Sequence, residues 1–128
     1  MAYVLDAEKA QIKRFVVSGQ VSLTERQVIV DDMVRLLTED RRVAIIVDYR
    51  AATLNAPPED ALEFAKSLDV LATHLPIFGL YVVPGEPDRS SVDVSVTAAG
   101  ALGNVPINVC AELSEAYKKI AQRMQADA

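Results

Sequence analysis

Apolar and polar positions along the chain follow two alternating rhythms. Residues 3–5 (YVL) and 12–19 (IKRFVVSG) read as strands, the second carrying Phe15 and Val17 on one face. Ser22-Leu-Thr-Glu25 then forms a capping box. The serine hydroxyl accepts from the amide at the third helical position, while the glutamate reaches back. The helix that follows sets Ile29, Met33, Leu36 and Leu37 on one stripe. Residues 42–49 (RVAIIVDY) are too uniformly apolar for a half-exposed strand, so they are expected at the centre of a sheet, covered on both faces. Residues 57–75 open with two prolines and two acids, as a helix N-terminus favours, and carry a stripe of Phe64, Leu68, Leu71 and Leu75. Residues 77–83 (IFGLYVV) read as a second buried strand, and 84–91 (PGEPDRSS) as a loop. Residues 91–103 mix strand-forming valines with the helix-start residues Ser91 and Asp93, and are read as a short helix. Residues 105–110 form a last strand, and 112–124 a helix with Leu113, Ala116, Tyr117, Ile120, Ala121 and Met124 on one face.

Strands alternating with helices of this length require right-handed crossovers and a mostly parallel sheet. The short first connection makes one edge pair antiparallel. The expected class is α/β: a single domain spanning residues 1–128, with a mixed, mostly parallel sheet of about five strands flanked by about four helices.

Composition narrows the function. Half of the 128 residues are apolar and 24% are charged, ordinary for a soluble globular chain. The net charge of −5 leaves no electrostatic footprint for nucleic acid or an anionic membrane surface. The single cysteine, Cys110, excludes an internal disulfide framework and suits a reducing compartment. The start lacks the basic and apolar regions of a signal peptide, and no window approaches the roughly 18 apolar residues of a membrane span. A cytoplasmic protein that is not an integral membrane protein is expected.

The run from Phe15 to Leu37, the segment VAIIVDYRAAT (43–53), PEDALEFAKSL (58–68), IFGLYVV, and the final NVPINVCAELSEAYKKIA (104–121) together resemble the STAS/SpoIIAA-like family in element order. These bacterial domains are related to anti-sigma-factor antagonists and to the lipid-binding CRAL-TRIO fold. The resemblance covers residues 12–124. It implies a small mixed sheet flanked by helices, and a regulatory or ligand-binding role rather than catalysis. One departure bears on mechanism. The antagonists carry a phosphorylatable serine nine or ten residues past the aspartate of the central strand; counted from Asp48, those positions are Pro57 and Pro58. Proline has no hydroxyl, so that switch does not carry over. Thr53 lies near, with nothing to single it out.

Chemistry is sparse. No nucleophile elbow, Walker loop, dinucleotide fingerprint or metal-ligand spacing occurs, and no cofactor is expected. A catalytic reading would use Cys110 at a strand-to-helix turn, or Ser91 (or Ser90) with the lone His74. The simpler reading has Cys110 filling the core and His74 complementing a helix end. Binding residues are expected where strands end, because ligands of open α/β sheets gather there. The central strand is expected to leave the core at Asp48, Tyr49 and Arg50, with Arg89, Ser90 and Ser91 following the neighbouring strand. Asp48 either bonds the backbone of the next turn or shares in a site. Arg50 either lies on the surface or offers its fork to an anion, with Tyr49 as a flat neighbour. The alternatives are a regulatory protein partner or an apolar ligand between helix and sheet, lined by residues 91–103. A homodimer is also expected, since an edge strand at residues 3–5 would expose unpaired backbone.

Overall fold

The computed structural model describes residues 2–54, 66, 74–88 and 107–126. Its sheet has five strands in the order β1 (Ala2–Lys9), β2 (Ile12–Val21), β3 (Ala44–Leu54), β4 (Leu80–Pro84) and β5 (Ile107–Val109). β1 runs antiparallel to β2 through the tight turn at residues 10–11, and every later pair is parallel. This is the mixed, mostly parallel α/β sheet expected. Two α-helices, not about four, stand among the described residues: α1 (Leu23–Glu39) and α2 (Leu113–Ala126). Of the other two expected helices, 57–75 and 91–103, only Lys66 and His74–Leu75 are described; Lys66 is helical and His74 is in 3-10 conformation. The rest of those two segments lies outside the described residues.

α1 starts where the sequence places it. The Glu25 amide donates to Ser22 Oγ at 3.2 Å, and the Ser22 amide donates to Glu25 Oε1 at 3.1 Å, so the capping box is closed. The helix buries Ile29, Val30, Met33 and Leu37 against Phe15, Val17, Val21, Ile45, Val47 and Leu80. The opposite face of the sheet is covered by α2, whose Ala116 and Ile120 pack with Ala44, Ile46, Tyr81, Val83 and Cys110. β3 therefore alternates between two cores, which explains its unbroken apolar run. Burying both faces of one strand removes much of its apolar surface from water, the main driving term for a chain of this size.

Several strand boundaries differ from expectation: β1 spans Ala2–Lys9 where residues 3–5 are expected, and β2 runs on to Val21. The second buried strand begins at Leu80 rather than 77, because Gly79 takes a φ of +99° and closes a turn through its amide to Pro76 O. The larger correction concerns β3. It does not leave the core at Asp48 but continues to Leu54.

Candidate functional site

The polar triplet in β3 is a β-bulge. Val16 of β2 faces Asp48, yet Ser18 faces Ala51, so Tyr49 and Arg50 together oppose the single residue Val17. The extra residue reverses the alternation of the strand. Ile45, Val47 and Tyr49 point into the α1 core, and after the bulge Ala52 and Leu54 point into it as well. Arg50 is the residue turned outward, with Ala51 and Thr53 exposed beyond it. β4 stops opposite Tyr49, at Pro84, which has no amide to extend the ladder. The chain turns through Gly85 into a 3-10 turn, Glu86–Asp88, and the buried Asp88 carboxylate accepts the Leu54 amide at 3.1 Å. A side chain thus replaces the missing strand.

Asp48, Tyr49 and Arg50 consequently have three different environments. The Asp48 side chain is only 5% exposed, whereas that of Arg50 is 51% exposed. Arg50 donates from Nε to Asp48 Oδ1 and from Nη2 to Oδ2, both at 2.9 Å, and its amide adds a third bond to Oδ1 at 3.1 Å. Burial alone would raise the Asp48 pKa; the bonds from Arg50, with the charge of Arg14 behind them, hold it below the ordinary carboxylate value. The fork of Arg50 is held rigid on its inner side. Tyr49 is not a flat neighbour to a ligand, as expected, because its ring lies in the α1 core. Burial pushes its pKa up to about 12, against the opposing pull of the Arg26 guanidinium hydrogen-bonded to it.

On the same face as Asp48, further charges gather near Arg50. Arg14 bonds Asp6 Oδ2 at 2.8 Å and reaches the Tyr117 hydroxyl of α2 at 3.4 Å, while Lys9 sits 4.7 Å above the Tyr117 ring. Strands β1, β2 and β3 and helix α2 therefore supply one polar surface beside the bulge.

Arg89, Ser90 and Ser91 lie outside the described residues, as does the apolar slot expected along 91–103 and the Pro57-Pro58 pair. His74 is half-buried. Cys110 is fully buried in the α2 core, and burial raises its pKa, which disfavours the nucleophilic thiolate. Sequence reasoning missed Arg26 and Asp88. Arg26 falls three residues before Ile29, squarely on the buried stripe, and is 2% exposed; its position carried the signal and its charge masked it. Asp88 had no signal, since its acceptor role depends on where β4 ends.

No family model matches the chain, and no curated protein matches it. Among solved structures, it is similar to the anti-sigma factor antagonist SpoIIAA in its unphosphorylated form. The TM-score is 0.53 at 10% identity, covering 94% of this chain and 98% of that one. At that identity the likeness is one of fold, and the fold is STAS-like, as the sequence resemblance implies. No described helix is long and apolar enough to cross a membrane.

Proposed function

We propose that this domain is a non-enzymatic regulatory module that binds a protein partner, and that Arg50 on the β3 bulge is its recognition group. The observation that carries the reading is the likeness in fold, over nearly the whole of both chains, to an anti-sigma factor antagonist. The bulge supports it at the level of residues, since bulges re-aim side chains beside functional sites. Asp48 binds the inner side of the guanidinium, which leaves Nη1 to face a partner's carboxylate or another anionic group. Asp48 is then the positioning residue, Tyr49 anchors the strand from beneath, and Arg89, Ser90 and Ser91 extend the contact. The partner meets the domain in the cytoplasm. Because Pro57 and Pro58 stand where the antagonists have their serine, control does not pass through a phosphate at that position.

A photo-crosslinking residue at exposed Ala51, beside Arg50, tests the reading in the host's own cells. A discrete crosslinked protein is expected from position 51 and not from position 122, which is exposed on α2. The same crosslinks from both positions, or none from 51, would refute the assignment.

A further inference from the structure

We infer that the chain pairs with a second copy of itself along β1, in an antiparallel two-fold ladder centred on Val4. β1 ends the sheet, and among the described residues no strand lies on its outer side. Alternate residues along its eight point their N–H and C=O groups outward, a ready template for another strand. The side chains point the same way. Val4 is 68% exposed and Leu5 42% exposed, two of the four exposed large hydrophobic residues among those described. They lie on opposite faces of β1, so a single patch on one face does not account for both. Pairing along the edge covers both.

The register follows from the residues. Centring on Val4 sets Val4 against the partner's Val4 on the α2 side and Tyr3 against the partner's Leu5 on the α1 side. Such aromatic and β-branched cross-strand pairs stabilise sheets. Ala2 then faces the partner's Asp6, and its small side chain leaves room for the Asp6–Arg14 ion pair. Centring on Leu5 instead would place Val4 against that carboxylate. On the α1 side, Tyr3, Leu5 and Phe15 floor an open groove of about 230 Å³ whose rim is Asp32, Arg35, Leu36 and Glu39. Tyr3 is fixed there by donating its hydroxyl to Asp32, and the partner's Leu5 enters beside it. The rim carries both signs of charge. Arg35 there pairs with Asp32 of its own helix at 3.3 Å. The pairs this register makes, Val4 on Val4, Tyr3 on Leu5 and Ala2 beside the Asp6–Arg14 ion pair, make the edge complementary to itself, and a second copy is the occupant.

The inference does not rest on the partner-binding reading, and its test leaves Arg50 intact. The two-fold places residue 4 opposite itself, which gives an experiment specific to this register. Wild type should sediment at twice the 13.9 kDa chain mass. Val4→Glu and Val4→Lys should each sediment as folded monomers, because each sets like charges together across the two-fold. An equimolar mixture of the two should return to the dimer mass. A monomeric wild type, a variant that stays dimeric, or a mixture that stays monomeric would overturn the proposal. So would loss of a host protein from Val4→Glu when wild type is a monomer, since the edge then belongs to another chain.

Discussion

Asp48 is a carboxylate nearly sealed from water whose charge is kept by one guanidinium. Its folded pKa lies below the ordinary 3.8, so the unfolded chain takes up the proton more readily. The stabilisation is complete above that ordinary value and is lost as pH falls through the folded one. Asp48→Asn has no such charge to lose. The stability gap between wild type and Asp48→Asn, measured by urea unfolding, should be largest near neutral pH and close in acid. A gap that stays constant or widens on acidification would contradict the role assigned to Arg50. Gly79 gives a second test at this scale. At a φ of +99°, a Cβ there would meet the Tyr81 hydroxyl at 2.8 Å, and that hydroxyl is held by its bond to Phe78 O. Gly79→Ala should lower unfolding free energy by about 1–2 kcal/mol from backbone conformation, plus the cost of moving Tyr81. Wild-type stability would show that the turn relaxes.

Elements were legible wherever a local rule decided them. Ser22 and Glu25 announce α1, and the stripe through Ile29 and Met33 gives the face it buries. The apolar run from Val43 to Val47 reads as a central strand for the same reason: both its faces are covered. Its end was not legible. Asp48, Tyr49 and Arg50 look like an exit from the core because polarity is read as exposure. Here the carboxylate is neutralised by Arg50, the phenol meets Arg26, and one extra residue in the register turns Arg50 outward. A bulge is a relation between two strands, and no pattern within one strand encodes it. The last stretch of β3 further depends on Asp88, forty residues after Asp48 in the chain. Asp88→Ala should leave the Leu54 amide unpaired and cost about 1–3 kcal/mol, readable by denaturant unfolding. Faster hydrogen exchange at Leu54 should accompany it. Unchanged exchange there would mean the amide has another acceptor.

At the scale of the molecule, the α/β class and the antiparallel first pair follow from the order and spacing of elements. The fold likeness agrees with the resemblance carried by residues 12–124. The working surface was legible only in part. The sequence singled out Arg50, but neither the burial of Tyr49 nor the neighbouring group of Lys9, Arg14 and Tyr117, drawn from elements far apart in the chain. Arg50 serves recognition while it also keeps the charge of the buried Asp48. Its own side chain is half-exposed, but the partner carboxylate is only 5% exposed, so Arg50→Ala removes one half of a largely buried pair and should lower stability. The direct measurement is comparative capture from the host's lysate on immobilised wild type and Arg50→Ala, with thermal melts of both. Arg50→Ala is expected to melt below wild type yet remain folded at the temperature of capture, and to lose a discrete set of captured proteins. An unchanged captured set from folded Arg50→Ala would contradict the recognition role.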